Sequence, residues 1–284
     1  MTTTVNLRSS WDLSKSKYDD IDNLPLAKSP GPVLMIVALY LLFVLKLGPA
    51  FMRKRPAFKL TGTLFAYNAI QVVISLYLVQ KYFRGMLQYG FVPRKCLMND
   101  ENIRKEVVFG IWLYFAAKVS ELLDTVFFIL RKKDSQVTFL HLYHHSIMVI
   151  GSWGFFKYSP SHTAVFIGFL NSLVHVFMYT YYGLSALGPN MSKYLTWKKY
   201  MTSFQLIQFV SLIVQYGVTL KVTECPPSKG VAIFIISNVV FFLVLFTNFY
   251  RQCYIRKDLT KSDDVNGLTR SVCVINETEN KKNS

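Results

Sequence analysis

Apolar residues gather along this chain into runs of about 20, the length a helix needs to cross the hydrocarbon core of a bilayer. Seven such runs occur, at roughly 33–51, 62–82, 107–130, 138–156, 163–185, 200–221 and 230–250. Short polar connections separate them, so the pattern predicts an all-α, polytopic membrane protein with seven transmembrane helices. The organisation expected is an N-terminal segment over 1–32, a membrane domain over 33–250 and a polar tail over 251–284. No cleavable leader is expected, because residues 1–32 are polar and hold three Asp among residues 19–22.

Several runs contain groups that lipid does not tolerate. Residues 137–146 read Val-Thr-Phe-Leu-His-Leu-Tyr-His-His-Ser and hold His141, His144 and His145, three of the five histidines in the chain. At i, i+3 and i+4 the three imidazoles share one helical face, within about 100° of one another. A lone buried His is more often a core residue satisfied by a carbonyl, but three in five residues on one face point to a site. The third run carries Lys118, Glu121 and Asp124. Each charge costs on the order of 2.5 to 3.5 kcal/mol at a helix centre, so the three are expected to face a shared interior within a sector of about 120°. A Lys–Glu pair that merely pins helix packing is the alternative. The fifth run places Asn171, His175, Tyr179 and Tyr182 within about 80° on one face. The sixth opens with Thr202, Gln205 and Gln208, whose amides suit a ligand or an interhelical bond equally well.

Charge then sets the orientation. The net charge of +16 suggests nucleic acid at first, but the basic residues fall in short clusters between apolar runs, so no nucleic-acid partner is expected. With 52% hydrophobic residues and a mean hydropathy of +0.29, the bilayer is the expected surroundings. The connections at 46–60, 131–136 and 186–199 hold eleven basic residues and one acid; the alternate ones hold seven and four. The first set is therefore expected in the cytosol, with the N-terminus lumenal and the C-terminus cytosolic. Cys96 and Cys225 then both fall in lumenal connections, where an oxidising compartment can join them. Lys281 and Lys282, fourth and third from the end, match the dilysine retrieval signal of endoplasmic-reticulum membrane proteins. The sequons at Asn190 and Asn276 fall on the cytosolic side and are expected to stay unglycosylated. Counting about 1.5 Å per residue from the basic connections places every polar cluster in the cytosolic half and leaves the lumenal half mostly apolar. A pocket open to cytosolic reactants, with a greasy extension behind it, suits a long acyl chain on a large polar head.

His-x-x-His-His also occurs in membrane di-iron desaturases, but those sites need about eight histidines. Five cannot supply them, so no metal is expected. A seven-span receptor or transporter is the non-enzymatic alternative, since intramembrane Lys, Glu, Asp and His also serve as proton relays.

The order KVSELLDT, RKKDSQVTFLHLYHHS, NSLVHVFMYTYYGLSALGP and KYLTWKKYMTSFQLIQF, with KLGPAFMRKRPAFKL upstream, resembles the very-long-chain fatty-acid elongases over residues 30 to 255. Leu142, Thr196 and Ala57 depart from the usual pattern without touching a polar motif residue. The resemblance implies a condensing enzyme that joins an acyl-CoA to malonyl-CoA, giving 3-oxoacyl-CoA, carbon dioxide and CoA with no cofactor. It implies a barrel of the last six helices around an acyl tunnel, a histidine nucleophile at the position of His144, and His175 facing it. His145, Asn171 and Lys118 are candidates to stabilise the malonyl-derived enolate. Glu121 and Asp124 are candidates to orient imidazoles or balance Lys118. Gln205, Gln208, Thr202, Tyr179 and Tyr182 are expected to contact substrate. Homodimers, and association with the reductase and dehydratase of the elongation cycle, follow from the same resemblance.

Overall fold

The structure is a computed structural model, and it describes residues 15–192 and 194–255. Lys281, Lys282 and Asn276 lie outside the described residues. Among those described, every regular element is helical. The principal helices are α1 (Pro30–Met52), α2 (Thr61–Tyr89), α3 (Glu101–Ser120), α4 (Leu123–Leu130), α5 (Phe139–Tyr158), α6 (Thr163–Ala186), α7 (Lys198–Val222) and α8 (Lys229–Tyr250). Five of them, α1, α2, α6, α7 and α8, are long and apolar enough to cross a membrane by length and composition.

The other two expected crossings look different. The run 107–130 is not one helix: α3 stops at Ser120 and α4 starts at Leu123. Ser120 Oγ donates to Ala117 O at 2.7 Å, and Leu122 N and Asp124 N bond back only three residues, to Val119 O and Glu121 O. A hydroxyl taking a backbone carbonyl and two tightened bonds interrupt the α ladder here. The break turns Glu121 and Lys118 inward; they are 3% and 2% exposed. In α5 the start is fixed by Thr138, whose side chain accepts from His141 N at 3.2 Å. That cap puts His141 in the first turn and His144 and His145 one turn further along the same face.

The helices alternate in direction between two ends. One end carries Arg131, Lys132 and Lys133 just after α4, where Phe58 N donates to Leu130 O at 3.0 Å; this is the basic end. At the other, a disulfide joins Cys96, between α2 and α3, to Cys225, between α7 and α8, with Cα atoms 5.5 Å apart. Helix α2 lies along α6 for most of its length. Their close approach depends on Gly168 of α6, because a Cβ there would meet Tyr82 Cε2 at 2.5 Å. The Tyr82 hydroxyl reaches on to α3, donating to Gly110 O at 2.8 Å.

At the disulfide end the segment 15–29 is part of the packed body. Lys157, at the end of α5 and 0% exposed, donates to Ser16 Oγ, Asp22 Oδ1, Ala27 O and Lys28 O at 2.9 to 3.1 Å. Trp153 and Trp112 donate to Leu26 O and Pro25 O, and Ile21 and Ala27 are fully buried. Burial by itself would raise the Asp22 carboxyl, but hydrogen bonds from Ser16 and Lys157, with the Lys157 charge, hold it below its ordinary value.

Candidate active site

Three helices bring the buried ionisable groups together about midway between the two ends. Lys118 Nζ donates to both oxygens of Glu121, at 2.8 and 3.0 Å. His175 Nδ1, from α6, lies 3.1 Å from Glu121 Oε1. A carboxylate has only lone pairs to offer, so the proton of a neutral His175 sits on Nδ1, leaving the Nε2 lone pair available. Lys118 approaches His175 Nδ1 at 3.5 Å because both donors share that one carboxylate. The ammonium also rests over the Tyr114 ring at 4.7 Å, and the Tyr114 hydroxyl donates to Asn171 Oδ1 at 2.8 Å. With its carbonyl so engaged, Asn171 keeps its amide N–H groups for another acceptor.

The α5 histidines complete the cluster. The rings of His141 and His145 are 4.3 Å apart, and those of His144 and His145 are 5.4 Å apart. His144 and His145 both lie within electrostatic range of Lys118 and His175, and His144 within range of Glu121. His144 presents its ring to Phe242 of α8 at 5.2 Å. His141 faces the other way: its Nε2 is 2.9 Å from Thr125 Oγ1, which is 2.8 Å from the Tyr40 hydroxyl. The outermost member of the triplet is thereby tied to α1.

Asp124 does not orient an imidazole. Its Oδ2 accepts from the Tyr179 hydroxyl at 2.8 Å, and Tyr179 is fully buried with its ring 5.5 Å from that of His175. Tyr182 is 41% exposed; its ring lies 6.4 Å from that of Tyr179, and it is within electrostatic range of Asp124. On α7, Thr202 and Gln208 are buried and Gln205 is half-buried. His162 caps the far end of α6, with its ring against Tyr89 at 6.0 Å and away from the cluster. Among the described residues no group of three or more His, Cys, Asp or Glu is disposed to hold a metal ion.

Some members of the network carried only a weak signal in the sequence. Tyr114 lies one turn before Lys118 on the same helical face, and Gln71 of α2 donates to Ser120 Oγ at 2.8 Å. In the half at the disulfide end, expected to be mostly apolar, α7 nonetheless buries Gln215, Tyr216 and Thr219. Gln215 continues the stripe of Gln208, seven residues on and about 20° round, which is where the sequence could have revealed it.

A protein-family model described as ELO: GNS1/SUR4 family matches residues 25–262, a stretch that takes in all eight helices. Human very long chain fatty acid elongase 4 is 40% identical over 249 residues, covering 87% of this chain and 78% of the human protein. Very long chain fatty acid elongase 7 of Drosophila melanogaster is 39% identical over 250 residues, covering 87% and 76%. Very long chain fatty acid elongase 1 of Mus musculus is 39% identical over 272 residues, covering 94% and 96%. With the family model spanning most of its length and relatives this similar along three quarters or more of theirs, the chain belongs to the GNS1/SUR4 family, that of the very long chain fatty acid elongases.

Proposed function

We propose that the chain is the condensing enzyme of fatty-acid elongation, an acyltransferase joining a long-chain acyl-CoA to malonyl-CoA. The observation that carries this reading is the meeting of Lys118, Glu121 and His175 in one hydrogen-bonded group beside His144 and His145. A neutral imidazole is a competent nucleophile toward a thioester, and an acyl-imidazole stays reactive enough to pass its acyl group on. His144 attacks the thioester carbon, the C–S bond breaks, and CoA leaves with the imidazole proton, relayed by His175. Malonyl-CoA then loses carbon dioxide. The enolate left behind attacks the acyl carbon, the C–N bond breaks and His144 leaves as a neutral imidazole by taking one proton from solvent; the product is the 3-oxoacyl-CoA two carbons longer. Asn171 and His145 are positioned to donate hydrogen bonds to the enolate oxygen. Glu121 fixes the His175 tautomer, and the two acyl-CoA substrates supply the chemistry without a cofactor.

In this reading α3 with α4, and α5, supply two further crossings, which makes seven. Neighbour contacts run from α3 to α5, α8, α7, α6, α2 and back to α3, as expected of a ring of six helices around an acyl path. Tyr143 of α5 supplies one link, donating to Asn238 Oδ1 of α8 at 3.0 Å. The basic end faces the cytosol, the disulfide end faces the lumen of the endoplasmic reticulum, and Lys281 and Lys282 serve retrieval. Homodimers and contacts with the reductase and dehydratase of the cycle belong to the same proposal. The test is incubation of the reconstituted protein with labelled malonyl-CoA and acyl-CoAs of graded length. A labelled 3-oxoacyl-CoA is expected, and its loss in His144→Ala; no such product at any length from folded protein would sink the reading.

A further inference from the structure

The disulfide-end half of α7 buries two polar atoms that a hydrocarbon chain could not satisfy. Gln215 is 8% exposed and Tyr216 is 2% exposed, and neither Gln215 Oε1 nor the Tyr216 hydroxyl has a hydrogen-bond partner among the described residues. Both belong to the buried face of α7 that also carries Gln208, Phe209, Leu212 and Thr219. Thr219 is different, because its hydroxyl donates to Gln215 O at 2.9 Å. Depth follows from the contact between Phe177 of α6 and Phe204 of α7, whose ring centroids are 5.6 Å apart. From that level His175 lies two residues toward the disulfide end and Gln215 eleven, a separation of about 13 Å, or roughly ten carbons of extended chain.

We propose that Gln215 and Tyr216 form a specificity-determining subsite for the acyl chain near its tenth carbon, favouring chains that carry a hydroxyl group there over saturated ones. The inference rests on the elongase reading. A saturated chain threaded past this level leaves an acceptor and a donor buried and unpaired, which penalises it. A hydroxyl offers one donor and two acceptor lone pairs, so it can satisfy either atom. Neither residue touches the reacting carbon, so their effect is confined to chains long enough to reach them.

The test compares octanoyl-CoA, octadecanoyl-CoA and an octadecanoyl-CoA hydroxylated near mid-chain, in the wild type, Tyr216→Phe and Gln215→Met. In either variant the kcat/KM ratio of the saturated to the hydroxylated long chain is expected to rise by about fivefold or more, the lower end of what an unpaired buried group costs. Octanoyl-CoA, too short to reach the subsite, is expected to stay within about twofold and reports that the variants are folded and active. Tyr216→Phe removes a single oxygen, so it keeps the comparison available if Gln215→Met fails to fold. A ratio unchanged while octanoyl-CoA is still extended overturns the subsite and leaves the elongase reading standing. No condensation of any substrate by the wild type overturns both.

Discussion

Glu121 is the residue whose removal separates folding from chemistry most cleanly. The substitution Glu121→Gln keeps the shape and removes the charge that two donors share, Lys118 Nζ at 2.8 Å and His175 Nδ1 at 3.1 Å. Lys118, 2% exposed, is then left as a buried cation without its carboxylate. Breaking a buried pair in this way costs about 3 to 5 kcal/mol of stability. Catalysis should suffer separately, because an amide offers an N–H as readily as an oxygen and no longer dictates the His175 tautomer. Loss of such an orienting carboxylate lowers kcat by about 10⁴-fold in the best-studied triad. The double substitution Lys118→Met with Glu121→Gln removes both charges and is expected to recover much of the stability, as replacements of buried pairs by apolar groups do. It should not recover condensation. The assay pairs unfolding in detergent with single-turnover formation of 3-oxoacyl-CoA. If Glu121→Gln turns over within about tenfold of wild type, or if the double variant regains activity along with stability, the positioning role of Glu121 is wrong.

Other consequences are more local. Because the folded Asp22 carboxyl lies below its unfolded value, its contribution is present at neutral pH and is lost as the pH falls below about 4 through that lowered value. Amide-exchange protection of residues 15–28 should fall over that range, and Lys157→Met should lower it already at pH 7. Protection that survives both changes would show that Lys157 does not anchor the segment. At Gly168, alanine would drive its Cβ to 2.5 Å from Tyr82 Cε2. The ring cannot swing aside while its hydroxyl holds Gly110 O, so a loss of about 1 to 3 kcal/mol is expected, relieved by Tyr82→Leu. Unfolding in detergent measures both, and a Gly168→Ala protein as stable as wild type contradicts the packing.

Much of this site could be read from the chain because charge inside an apolar run is expensive and therefore conspicuous. Lys118, Glu121, His175 and the His141–His145 triplet stood out on that ground, and helical spacing put the right ones on shared faces. Spacing does not distinguish partners, however. Asp124 looked as good an imidazole partner as Glu121, yet it pairs with Tyr179, one turn from His175 on α6; the break in the helix after Ser120 was hidden too. The break depends on one serine hydroxyl turning to Ala117 O, which no hydrophobic period records. The docking of residues 15–29 was equally hidden, since Lys157 holds it partly through the backbone carbonyls of Ala27 and Lys28. Gln215 escaped notice for another reason: a lone amide in an apolar run is common, and only its register with Gln208 sets it apart.

The most direct measurement is the covalent state of His144 during turnover. Protein mixed with acyl-CoA alone, quenched and digested, should yield a peptide containing His144 heavier by one acyl group, and malonyl-CoA added before the quench should discharge it. An active enzyme in which that peptide never carries the acyl group, or carries it unchanged through the malonyl-CoA chase, would contradict the acyl-histidine route.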